Sequence, residues 1–317
     1  MPAPHRALAT VVALALVLAG CGDPGRAQGP LADGQPSLPG QAPGTVVLTG
    51  TGDAGQVVQR LQDAVTANSG TVATVVDHTA QARAAGVELA ASTLVIGGPP
   101  AAQVPLLLAD QRAGANLPQR YLVRQEPGGP VTVTYNGATY IAAVSGVTDA
   151  AARTALRDTS AAVAAQATGD ASDQISAPLI GVTPADFLLT VFGSADVPAT
   201  VARLRRAADA GPSRVAASID MAAGSDRFGP AIRPTSVVFV SNAEAEAPLL
   251  RAAPTMGLEL PMPYVVWVDD QARTQIGHPD IRKLAQRHGI APTDPAVTRI
   301  LADSERLARI AAGLQQQ

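Results

Sequence analysis

Three patterns of apolar and polar positions follow one another along the chain. Residues 7–19 (ALATVVALALVLA) are unbroken apolar, residues 22–44 are rich in Gly, Pro and Gln, and from residue 45 onward strand-like and helix-like periods alternate. The first run is too short to span a bilayer as a helix and has the length of a signal-peptide core. The second has almost no large apolar side chain and cannot supply a core, so it reads as a tether. Beyond it, residues 45–49 and 188–192 are expected to be strands. Each is followed by apolar positions at helical spacing: Val57, Val58, Leu61, Ala64 and Val65, then Val201, Leu204, Ala207 and Ala208. Asp53 and Asp196 stand where N-caps belong. Further strands are expected at residues 71–76, 92–96, 120–124 and 131–135, with counterparts 143 residues later. The last helix opens with Asp294 as cap and Pro295 in its first turn, and Val297, Ile300, Leu301, Leu307, Ile310 and Leu314 share one face.

The 143-residue offset is a repeat. Residues 46–147 align with 189–290 without a gap, and 25 of the 102 positions are identical. They include Asp53/Asp196, Asp77/Asp220, Gly86/Gly229, Tyr121/Tyr264, and the runs Pro105-Leu106-Leu107 against Pro248-Leu249-Leu250. Alanine inflates chance matches, but Pro, Tyr, Asp and Gly pairs held in one register are not a product of composition. A repeat of this length is a whole domain copied once.

Composition then narrows the function classes. The chain has 317 residues, is 47% hydrophobic but 15% charged, and carries a net charge of −3 without a basic block, which argues against nucleic acid as a partner. Its single cysteine, Cys21, excludes an internal disulfide and a multi-cysteine zinc site. That cysteine follows Leu18-Ala19-Gly20 at the end of the apolar run, which resembles the lipobox of bacterial lipoproteins. The resemblance implies a lipid thioether on Cys21, cleavage after Gly20 and anchoring on the extracytoplasmic side of the cell membrane, stable once two or more acyl chains are present. The mature chain would carry 26 acidic against 22 basic residues, a net of −4. The organisation is therefore signal peptide 1–20, tether 21–44, first domain 45–168, linker 169–187 and second domain 188–317.

Val76-Asp77-His78, then Ala80, Ala84, Gly86 and Leu89, the strand at 93–98, Pro105-Leu106-Leu107 and Leu117-Pro118 together resemble a DUF302 domain. Ile219-Asp220, residues 237–241, Ala252-Ala253-Pro254-Thr255, Leu260-Pro261 and Val265-Val266-Trp267-Val268 resemble it a second time. The resemblance implies an α+β domain of β-α-β(4)-α layout similar to the TBP-like fold, a tendency to pair, and no established activity. In tandem the copies would form an intramolecular pseudo-dimer.

Candidate chemistry is sparse. Gly50-Thr-Gly52-Asp-Ala-Gly55, with Asp77 closing the next strand, matches a dinucleotide fingerprint. The second copy reads Gly193-Ser-Ala-Asp-Val-Pro198 there while keeping Asp220, so the loop is taken as a Gly-rich turn. Asp77 and His78 combine a carboxylate and an imidazole, but neighbours on an extended chain point to opposite faces, and the second copy has Asp220-Met221. Each aspartate suits a cap for the turn that follows. His278 and His288 read as solvated or capping, and the Asn242, Glu244, Glu246 segment as a solvated loop. Tyr121, Tyr264 and Trp267 lie on expected strands, either in the core or lining a shallow pocket on a sheet covered on one side. Asp77, His78, Asp220, Tyr121, Tyr264 and Trp267 are thus the candidate ligand contacts, and neither a metal nor a cofactor is expected. The reading is a non-enzymatic module for a small ligand or an envelope protein; the alternative is a metal-binding protein or enzyme using Asp77 and His78.

Overall fold

Each repeat lays five strands into one antiparallel sheet. A computed structural model describes residues 41–169, 175–177, 179 and 187–314. The first repeat runs β1 (Thr45–Gly50), α1 (Ala54–Ala67), β2 (Thr71–Asp77), α2 (His78–Ala84), β3 (Ala91–Gly98), α3 (Pro100–Ala109), a 3₁₀ helix (Gln111–Asn116), β4 (Arg120–Gln125), β5 (Val131–Asn136), α4 (Ala138–Ser145) and α5 (Ala150–Thr168). A two-residue strand, β6 (Ile175–Ser176), then pairs with β1. The second repeat runs β7 (Leu188–Phe192), α6 (Val197–Asp209), β8 (Arg214–Asp220), a 3₁₀ turn (Ser225–Phe228), β9 (Thr235–Ser241), α7 (Ala243–Ala252), a 3₁₀ helix (Pro254–Leu258), β10 (Met262–Val268), β11 (Thr274–Pro279), α8 (Ile281–Arg287) and α9 (Pro295–Ala312). The sheet orders are β2-β3-β4-β5-β1-β6 and β7-β11-β10-β9-β8. This is the α+β architecture expected from the sequence. Both sheets break register at the same place, between Val72 and Thr74 and between Val215 and Ala217, 143 residues apart.

Local chemistry explains the element starts. Asp53 accepts from the Gln56 backbone at 2.9 Å while the Gln56 side chain accepts from the Asp53 backbone at 3.2 Å, a reciprocal cap that fixes the first turn of α1. Asp196 accepts from Ala199 N at 2.8 Å and Asp294 from Ala296 N at 2.8 Å. The strand before α1 pairs with β5 and not with β2, so the Gly50–Gly55 turn belongs to no parallel β-α-β unit. Gly52 in that turn has φ +89°, open to glycine at no steric cost.

The central strands of each sheet are buried on both faces, and strand alternation decides which residue goes where. In β4, Tyr121 and Val123 face the core under α1 and α5, with Leu61, Val65, Val133 and Val163. Leu122 points the other way, into a core that joins Leu94 and Ile96 of the first repeat to Val237, Val265 and Met256 of the second. Each large aliphatic side chain buried there contributes about 1.5–3 kcal/mol. The contact is reciprocal. A Cβ on Gly114 would stand 3.2 Å from Val265, and a Cβ on Gly257 would stand 3.0 Å from Leu122, the residue equivalent to Val265. Each repeat thus lays its 3₁₀ helix on the other's sheet, a contact that exchanges i with j as two-fold interfaces do. A Cβ at either position would push the opposing repeat back by a few tenths of an ångström.

Packing revises three expectations. His278 and His288 are buried, not solvated, and His288 is the C-cap residue of α8. The Asn242 segment starts helix α7, where Asn242 is the N-cap and Glu246 is buried, its carboxylate accepting from Ser241 Oγ and the Asn242 backbone at 3.0 Å each. Burial pushes the Glu246 carboxyl up to about 7. Residues 41–44, at the end of the stretch read as a tether, are engaged as well: Ala42 is buried, and Gly44 N donates to Ala177 O at 3.3 Å.

Candidate functional site

The six residues nominated from sequence do not meet. Asp77 caps α2, accepting from Ala80 N at 2.9 Å, and Asp220 accepts from Ala222 N and Ala223 N at 3.0 and 3.2 Å. His78 turns inward, fully buried, and its Nε2–H donates to Gly257 O of the other repeat at 2.9 Å. Its Nδ1 has no partner among the described residues. Burial lowers this imidazole to about 4, overriding the Gly257 bond, so it is neutral at pH 7. Asp77 and His78 are therefore committed to different neighbours. Tyr121 and Tyr264 are buried beneath their own repeats' helices, near Ser160 and Ser304, and burial raises both phenols. Both faces of the sheet are covered where they stand. Cys21 lies outside the described residues, and among those residues no group of three or more His, Cys, Asp or Glu side chains is placed to hold a metal.

Trp267 is different, because it lines a cleft of about 400 Å³ where the repeats meet. In β10 it shares the face of Val265, two residues earlier, which packs on the first repeat. The first repeat contributes Asp110, Gln111 and Arg112 to the wall, and the second contributes Thr190, Arg233, Asp269, Asp270 and Gln275 beside Trp267. The wall is held by bonds within itself. Arg233 donates Nε and Nη2 to Gln111 Oε1 at 3.1 and 2.7 Å and Nε also to Val268 O, while Gln111 Nε2 donates to Thr235 Oγ1 at 2.6 Å. Arg112 forks onto Asp110, whose hydrogen bond raises its guanidinium further. Asp269 organises the β10–β11 turn, accepting from Gln271 N and Arg273 N at 2.9 Å and from Gln275 Nε2 at 2.7 Å. Partial burial pushes its carboxyl up, but the Arg273 backbone bond and the side-chain donors outweigh that and hold it at about 2.

A second polar cluster seals the seam. Glu259, fully buried, accepts from Arg287 Nη1 at 2.5 Å and from His288 Nε2 at 3.3 Å, and Arg120 of the first repeat lies 3.9 Å away. Burial would raise this carboxyl; the His288 bond and the two guanidiniums pull it down to about 2. Arg287 also donates to Asn136 Oδ1 and Pro43 O at 2.8 Å each and stacks 3.6 Å over Tyr140. Burial lowers His288, which is therefore neutral beside a charged Glu259.

A family model described as "Domain of unknown function DUF302" matches residues 46–166 and again residues 190–310, most of the chain. The chain belongs to the DUF302 family. A solved structure titled "Crystal structure of uncharacterized conserved protein DUF302 from Bacillus stearothermophilus" is similar, with 25% identity, 41% of this chain and all of that chain covered, and a TM-score of 0.35. Curated relatives include "Fluoride-specific ion channel FluC 1" of Brucella suis biovar 1 (strain 1330), 27% identical over 127 residues, covering 40% of this chain and 50% of that protein. "Fluoride-specific ion channel FluC 2" of Brucella melitensis biotype 1 matches at 27% over 127 residues, 40% and 47%. The chain thus spans about half the length of the curated relatives it matches, and among its described residues no helix is long and apolar enough to cross a membrane.

The two DUF302 repeats make two equivalent clefts, and they differ. A smaller one, about 170 Å³, is lined by Ala90, Arg124, Glu126 and Pro254, the residues 143 positions from Arg233, Trp267, Asp269 and Gln111. The alignment of the two repeats sets Trp267 against Arg124. The same internal comparison held the signal for Arg233 against Ala90 and Gln111 against Pro254, but only the fold shows that these positions share a wall.

Proposed function

We propose that this DUF302 protein is an exported lipoprotein, anchored to the extracytoplasmic face of the cell membrane through Cys21, whose repeats pair as an intramolecular pseudo-dimer and act as a non-enzymatic binding module. The observation that carries the binding part is the 400 Å³ cleft between the repeats, within the ~300–1,000 Å³ range of small-molecule sites and built from both halves. No pair of side chains in its wall has the arrangement of a nucleophile with an adjacent base: Asp110 and Asp269 are tied to arginine and backbone amides, which suits holding a ligand. The anchor is supported by the apolar run ending in Leu18-Ala19-Gly20-Cys21.

Two measurements test the proposal. Cys21→Ser is expected to move the protein from the membrane fraction to the soluble one; retention in the membrane would sink the anchor. For binding, a melting-temperature screen of the purified full chain against metals, nucleotides, lipids, sugars and amino acids is expected to give a hit that Arg233→Ala weakens. A fluoride arm belongs in it, since the curated relatives carry fluoride in their names. A screen without any stabilising compound would remove the binding reading.

A further inference from the structure

We infer that the larger cleft takes a neutral polyhydroxylated ring, a mono- or disaccharide, at one site per chain. The inference rests on the cleft being a binding site and names its ligand class. The charges of the wall come close to balance. Asp110 holds Arg112, Arg233 bonds Gln111, and Asp269 holds Gln275 and Arg273. Three carboxylates against two guanidiniums confront a ligand of either charge with groups of its own sign, so a neutral ligand meets the least repulsion.

What the wall leaves over is mixed. Arg112 Nη1 and Arg233 Nη1 are donors without a partner among the described residues, the Asp270 carboxylate is an acceptor in the same condition, and the Thr190 hydroxyl does either. Hydroxyl groups both donate and accept, so a ring bearing several satisfies such a rim without moving a proton. Trp267 supplies an apolar wall for the C–H face of that ring. The equivalent cleft has Arg124 for the tryptophan, Ala90 for Arg233 and Pro254 for Gln111 and is less than half the volume, which makes the stoichiometry one and not two.

Trp267 is the only tryptophan in the chain, so its fluorescence reports this site alone. The full-length protein in a non-glycosidic detergent is titrated with glucose, maltose, N-acetylglucosamine and chitobiose, and in parallel with glucuronate, glucosamine and inorganic phosphate. At least one neutral sugar is expected to give a saturable emission change, with calorimetry showing one site per chain and Asp270→Ala or Thr190→Val weakening it about tenfold. Saturation by charged compounds alone overturns the ligand class and leaves the cleft a binding site. A response that neither variant alters, or two equivalent sites per chain, overturns the placement. Silence from all four neutral sugars overturns the inference, whereas the binding reading falls only if the melting screen is silent too.

Discussion

His78 joins the repeats through a neutral imidazole, and its removal has a cost that changes sign with pH. The second repeat has Met221 at the equivalent position, so His78→Met is a substitution the fold already accepts once. At neutral pH the variant loses one buried hydrogen bond to Gly257 O, about 1 kcal/mol. The proton linkage runs the other way. His78 holds its pKa near 4 in the folded chain against 6.5 unfolded, so between those values the unfolded state binds the extra proton and wild-type stability falls as pH falls. At about 1.4 kcal/mol per unit the full window is worth roughly 3 kcal/mol. Below pH 4 both states are protonated and the loss is complete. The variant is therefore expected to be about 1 kcal/mol less stable than wild type at neutral pH, equal to it near pH 6 by the same linkage, and about 2 kcal/mol more stable at pH 4. Urea unfolding of both proteins across this range, followed by Trp267 emission, gives the difference curve, in which the opposite contribution of Glu246 cancels. A difference that is flat with pH would refute the assignment of His78 as buried and neutral.

Five further substitutions probe the seam and one helix cap. Glu259→Gln strips the counter-charge from Arg120 and Arg287 and is expected to cost about 3–5 kcal/mol in chemical denaturation; a loss below 1 kcal/mol would mean the cluster is hydrated. Gly257→Ala and Gly114→Ala push a methyl group to 3.0 and 3.2 Å from the opposing repeat and are each expected to destabilise by about 1–3 kcal/mol, Gly257 more; unchanged melting of either would place the 3₁₀ helices further from the sheets than described. Asp53→Ala is expected to cost about 1 kcal/mol and Asp53→Asn much less, read by thermal melting, and equal losses would argue against the cap.

Features with a local cause were legible in the sequence. Caps at Asp53, Asp196 and Asp294 follow from residue type and offset, and the 143-residue register predicted where the second sheet's strands would fall. Features caused by packing between elements distant in sequence were not legible. His278, His288 and Glu246 have the polar character of surface residues, and periodicity within one domain cannot show that a neighbouring element covers them. The same holds for α3 and α7, which run through Pro105 and Pro248, residues that sequence rules use to end helices. The cleft was the hardest to see, because Gln111 and Arg233 come from different repeats and lie 122 positions apart.

Two identical chains meeting about a two-fold axis receive every mutation twice. Here the halves are one polypeptide, and their seam shows what that permits. Glu259 and His288 occupy positions whose counterparts are Asn116 and Ser145, side chains with no hydrogen-bond partner among the described residues. A symmetric dimer acquiring the buried glutamate would desolvate two carboxylates at once and need two arginines in the same step. The tandem chain holds one, with one Arg287 and one Arg120, and its other seat is uncharged. Covalent linkage in this sense lets each half carry its own residue at matching positions, as Trp267 and Arg124 do on the cleft walls.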